Sequence, residues 1–113
     1  MLYAYIDIDG QLERIERSLC LRQDILSSPW STLSGGERQR ALIACAVILV
    51  TSTQHPTVLL LDEPTAACDP TTTLAVESVL LTCGASILMT THDERQAKRI
   101  AHRRVLLSSV DAS

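Results

Sequence analysis

Ser34, Gly35, Gly36 and Glu37 stand immediately ahead of the apolar run "ALIACAVILV" and have the makings of a backbone anion site. Ser34 suits the N-cap of a helix, and Glu37 lies three residues on, at N3, the pattern of a capping box. The unpaired N–H groups and positive dipole end of such a helix attract anions. Two glycines without a Cβ let an anion come close to the backbone, which would justify a residue that costs about 1 kcal/mol relative to alanine inside a helix. A glycine-rich turn leading into a core helix would use the same residues.

A second group gathers further along. "TVLLL", Thr57 to Leu61, is a short apolar run that suits a strand buried on both faces. Asp62 would emerge at its carboxyl end, where parallel sheets place ligands, and Glu63 would point the other way. Pro64 disfavours α backbone in the residue before it, so Glu63 is expected to be extended. His92 follows another apolar run, "ASILMTT", and so reaches the same edge. Asp69 suits the N-cap of a helix with Pro70 at N1. Taken singly, these residues are also what a strand-exit turn, a surface histidine and a plain helix cap look like.

The elements that must position them follow from periodicity and breakers. Ile8, Leu12, Ile15 and Leu19 recur at helical spacing, with Glu13 and Arg17 a favourable i,i+4 pair, predicting a helix over about 9–21. "SSPW" breaks it, and a second helix is expected over about 35–50. Strands at 57–61 and in "ASILMTT" flank a helix over about 70–82, stopped by Gly84. "HDERQAKRIAH" reads as a short polar helix and "RVLL" as a last strand. This alternation predicts an α/β fold with a parallel sheet and helices packed over it.

Composition narrows the partners. The 113 residues carry a net charge of −3 and 3% aromatics, which argues against nucleic acid. Cys20, Cys45, Cys68 and Cys83 have no metal-ligand spacing and read as reduced, small apolar residues. The start lacks the basic region of a signal peptide. Ala41 to Val50 is about half the length of a membrane-spanning helix.

"LSGGERQR", Leu33 to Arg40, resembles the signature motif of ABC-type ATPases, in its Glu variant at position 37. "VLLLDEPT", Val58 to Thr65, looks like the Walker B strand and its following Glu. "AACD", Ala66 to Asp69, occupies the place of the D-loop, although Ala66 and Cys68 depart from the Ser and Leu frequent there, and "TTHD", Thr90 to Asp93, resembles the switch-histidine motif. The resemblance implies a partial P-loop NTPase (RecA-like) core preceded by the end of the ABC helical subdomain, about 1–50 and about 57–113 respectively for the two parts, helical first. It implies that Asp62 holds Mg2+, that Glu63 polarises the attacking water, and that His92 contacts the γ-phosphate of ATP. Ser34, Gly35, Gly36 and Glu37 would meet the nucleotide held by a second ABC domain, arranged head to tail, with Asp69 communicating across that dimer. Arg38 and Arg40 are read as solvated helix charges.

One part of the family pattern is missing from these residues. Lys98 is the sole lysine, and no G-x-x-x-x-G-K-[ST] loop precedes it; nor is a glutamine loop evident. The expectation is therefore the carboxyl-terminal half of an ATP-hydrolysing subunit, cytoplasmic or peripheral at the cytoplasmic face of a membrane beside a transmembrane transporter subunit, and inactive alone. The alternatives are a non-catalytic partner lending its signature helix to a full-length ABC protein, and a non-functional gene fragment.

Overall fold

Gly10, with a left-handed backbone (φ 67°), leads into helix α1 (Gln11–Ser18), at the start of the residues that the computed structural model describes, 10–107. Ile15 faces the core, while Glu13 and Arg17 pair on the outer side at 3.1 Å, as their spacing predicts. Ile8 and the start of that periodicity lie outside the described residues. The helix stops short of 21 because Cys20 takes a positive φ of 56° and redirects the chain. Two 3-10 turns, Ile25–Ser27 and Trp30–Thr32, flank Pro29 in the "SSPW" break.

Helix α2 (Gly35–Thr51) and strand β1 (Val58–Asp62) follow. Helix α3 (Pro70–Thr82) then crosses over to strand β2 (Ser86–Thr90), and helix α4 (Glu94–Ile100) closes the order. The boundaries of α3 match the expected ones, since both of its stop signals are local: Asp69 accepts from the Thr72 N–H at 2.7 Å, and Gly84 follows with φ 88°. β1 and β2 pair in parallel with Asp62 level with Thr90. The expected α/β class, a parallel sheet with flanking helices, is what the chain forms.

The core is aliphatic. Ile15, Leu19, Leu21 and Ile25 meet Ala41, Ala44, Val47 and Ile48 of α2 and Val76 and Leu80 of α3. Leu59, Leu61 and Ile87 close it from the inner face of the sheet. Two expectations are corrected here. The strands are not buried on both faces: Val58, Leu60 and Leu88 alternate outward and are 60%, 74% and 66% exposed. The "RVLL" stretch forms no strand; residues 104–107 are irregular and exposed, and among the described residues no neighbouring strand completes their backbone hydrogen bonds. Cys68 and Cys83 do pack against the core as free thiols, whereas Cys20 and Cys45 are exposed. Among the described residues no helix is long and apolar enough to cross a membrane.

Candidate functional site

The level register of β1 and β2 sets Asp62 beside Thr90, whose hydroxyl donates to the Asp62 carboxylate. The Glu63 N–H continues the ladder, donating to the Thr90 carbonyl at 3.2 Å and to its hydroxyl at 3.1 Å. There the chain leaves the strand. Glu63 is not extended, as Pro64 suggested, but left-handed, with φ 49°. Proline excludes the right-handed helical region without choosing among the rest; the turn does choose, for the Ala66 N–H closes back on the Glu63 carbonyl at 3.2 Å. A non-glycine residue held there costs on the order of 1–3 kcal/mol. The turn sets the Glu63 carboxylate 3.3 Å from Nε2 of His92, so the sheet edge brings these two residues together. His92 is almost wholly exposed and Glu63 about one-third so, leaving the pair open to a ligand arriving at that edge.

At the tip of α2 the capping box is complete: the Glu37 N–H donates to Ser34 Oγ at 3.1 Å, and the Ser34 N–H to Glu37 Oε1 at 2.9 Å. That backbone bond, with Arg22 at 3.3 Å, holds the Glu37 carboxyl below its ordinary range. The two glycines differ. A Cβ on Gly35 would meet nothing within 4 Å, so its backbone is open to an approaching group. A Cβ on Gly36 would lie 2.9 Å from the carbonyl oxygen of Ala67. Gly36 thus admits the protein's own loop after β1.

That loop is stitched to α2 by two further residues, Gln39, which the sequence did not single out, and Arg40. Gln39 Nε2 donates to the Glu63 carbonyl at 2.7 Å, and Arg40 reaches Cys68 Sγ at 3.8 Å. Arg40 is therefore not a solvated helix charge, and Arg38 lies over the Trp30 ring while donating to its carbonyl. Asp69 caps α3; the Thr72 N–H, and beyond it the Arg40 charge, keep its carboxyl below the usual range.

A brace runs behind the edge. Gln96, 2% exposed, donates to Thr65 Oγ1 at 2.8 Å and to the buried Glu77 carboxylate at 3.0 Å. Arg99 grips the same carboxylate with two bonds of 2.6 Å, which lowers the Glu77 pKa and raises that of Arg99. Thr65 from the loop, α3 and α4 are thereby fixed together, and His92 sits just ahead of α4. The one readable signal for this brace was polarity at positions facing a core. Among the described residues no cluster of three or more His, Cys, Asp or Glu could cage a metal. Asp62, exposed at the edge, fits the way Mg2+ is commonly held, by one carboxylate together with water and phosphate oxygens.

The family model for ABC transporters matches residues 6–66, from before α1 to the turn that carries Glu63. The chain belongs to the ABC transporter family. Its relatives include the phosphate import ATP-binding protein PstB of Bifidobacterium longum (strain NCC 2705), 47% identical over 103 residues, covering 87% of this chain and 38% of the relative. The PstB of Streptomyces coelicolor is 42% identical over 106 residues (89% and 39%), and that of Mycoplasma capricolum 46% over 81 residues (70% and 28%). This ABC-family chain thus spans less than two fifths of the length of each of these relatives. The matched segment holds the α2 tip, Asp62 and Glu63.

Proposed function

We propose that these residues are the signature-to-switch-histidine half of an ABC-type ATP-binding subunit, with phosphate uptake as the process it would energise. The observation that carries this reading is the meeting of Asp62, Glu63 and His92 at the carboxyl edge of two parallel strands, with an open capped helix tip in the same chain. The relatives are named for phosphate import and ATP binding; in this reading the subunit would sit at the cytoplasmic face of a membrane, beside a partner that spans it. Residues to about 50 would end the helical subdomain, and those from about 57 onward would belong to the nucleotide-binding core.

In this reading Asp62 holds the Mg2+ that accompanies ATP, whose chemistry is to neutralise charge on the phosphates. Glu63 takes the proton of the attacking water. His92 keeps the Glu63 carboxylate in place and faces the γ-phosphate. Ser34 and Gly35 turn toward a nucleotide gripped by a second ABC domain. The 113 residues hold no G-x-x-x-x-G-K-[ST] loop, and catalysis by positioning fails without the element that positions the phosphates. By themselves they are expected neither to bind ATP tightly nor to hydrolyse it.

The intact capping box beside the open Gly35 favours one other role, a signature helix lent to a full-length ABC protein. Mixing the chain with a full-length phosphate-import ATP-binding relative whose own signature serine is replaced tests both. Restored Mg-ATP turnover, lost with Ser34→Arg but kept with Glu63→Gln in this chain, is the lent-helix result. Joined instead to a segment supplying the phosphate loop, the chain is expected to hydrolyse ATP, and Glu63→Gln to lower that rate about 10²–10⁴-fold. Turnover by the pure 113-residue chain that Glu63→Gln abolishes would overturn the proposal.

A further inference from the structure

The backbone of Glu63 needs an external hold, and the structure shows where it comes from. We infer that Gln39 is a positioning residue for Glu63: its side-chain amide grips the Glu63 carbonyl and keeps this residue in the left-handed conformation that turns its carboxylate to His92.

Three independent features converge on this assignment. Glu63 is a bulky residue ahead of proline with φ 49°, a conformation that persists only where its surroundings impose it. Its N–H is held by Thr90 of β2, and its carbonyl by two donors, the local Ala66 N–H at 3.2 Å and Gln39 Nε2 at 2.7 Å. The Gln39 bond is the shorter, and it alone comes from another element. Next, the Gln39 amide makes this bond while its own Oε1 is buried without a hydrogen-bond partner. A stranded oxygen costs free energy, and reversing the amide would set oxygen against the Glu63 carbonyl, so the donor end is what this position uses. Finally, α2 lies close against the loop that carries Glu63, for a Cβ on Gly36 would stand 2.9 Å from the Ala67 carbonyl.

The bond links the two halves of the candidate site. The α2 tip, open at Gly35, and the Glu63–His92 pair are different ends of one stitched unit, so a displacement of α2 carries to the Glu63 carbonyl through a single side chain. The functional weight of this link rests on the proposed role of Glu63; its geometry does not.

Nuclear magnetic resonance on the isotopically labelled 113-residue chain tests the geometry without reference to ATP. A left-handed residue has its amide and α protons close together, giving a strong intraresidue cross-peak. The expected result is a strong Glu63 cross-peak in the native chain that falls several-fold in Gln39→Glu, which keeps the shape and removes the donor, and in Gln39→Leu. Gln39→Lys, which restores a donor of similar reach, is expected to keep it. The methyl signals of Leu19, Ile25 and Val76 stay in place in all three variants. A Glu63 cross-peak undiminished in both donor-free variants overturns the inference, as does its absence from the native chain. Loss of the core methyl signals in every variant also overturns it, because Gln39 would then support the fold at large. None of these outcomes depends on ATP turnover, so failure here and failure of the proposed function are told apart.

Discussion

One methyl group separates the two glycines of the α2 tip. On Gly36 it would press on the Ala67 carbonyl, which is backbone and has little room to yield, and on the Arg40 guanidinium, which can move. Gly36→Ala is therefore expected to destabilise the chain by about 1–3 kcal/mol, the cost of overpacking. Gly35→Ala meets empty space and should stay within about 0.5 kcal/mol of the native chain. Urea unfolding of both variants at equal slope checks the contrast, and equal midpoints would refute it. Neighbouring residues with one local signature thus do different work: Gly35 keeps the surface open, and Gly36 lets α2 reach the loop that carries Glu63. Nothing in "LSGGERQR" distinguishes them, because the Ala67 carbonyl arrives from a segment thirty-one positions on. The same holds for Glu63. Its neighbour Pro64 restricts it locally, yet the choice of left-handed backbone is made with Ala66, Thr90 and Gln39.

Helices α3 and α4 are locked by an ion pair whose worth depends on pH. Arg99, then Gln96, stabilise the ionised Glu77 and hold its pKa below the ordinary 4.5. A carboxyl that titrates lower in the folded chain than in the unfolded one stabilises fully above the unfolded value, and that stability is lost as pH falls through 4.5 toward the lowered folded pKa. The unfolding free energy should accordingly decline from about pH 5 downward, and Glu77→Gln should flatten part of that decline. A residual slope is expected from Glu37 and Asp69, which are lowered in the same direction by their helix-cap bonds. Urea melts at stepped pH provide the measurement; an unchanged slope in Glu77→Gln would show that the pair is not formed in solution. The elements themselves were legible wherever their signals are local. Ser34 with Glu37 and Asp69 with Pro70 mark the starts of α2 and α3, and the apolar runs at 58–62 and 86–90 became strands. Illegible were the features decided across space. The run at 104–107 has strand-forming residues but no pairing partner among the described residues, and the Gln96–Glu77–Arg99 brace joins positions with no common motif.

At the scale of the whole molecule the sheet is the sparest part. Among the described residues its two parallel strands have no further partner on either edge, and their outer face carries Val58, Leu60 and Leu88. Parallel sheets are ordinarily covered on both faces, and exposed apolar patches with open edges favour association. The apolar outer face therefore contributes little to the stability of this chain by itself and much to its stickiness. Leu60→Thr is expected to change the unfolding free energy by no more than about 0.5 kcal/mol, while reducing concentration-dependent light scattering of the pure chain. Leu19→Ala, in the fully buried cluster of α1, α2 and α3, should by contrast cost about 2–5 kcal/mol. If Leu60→Thr proved as damaging as Leu19→Ala, and more so at some protein concentrations than others, the outer face would be covered in solution by a second copy. The cost would then depend on protein concentration, as the cost of a change inside one folded chain does not.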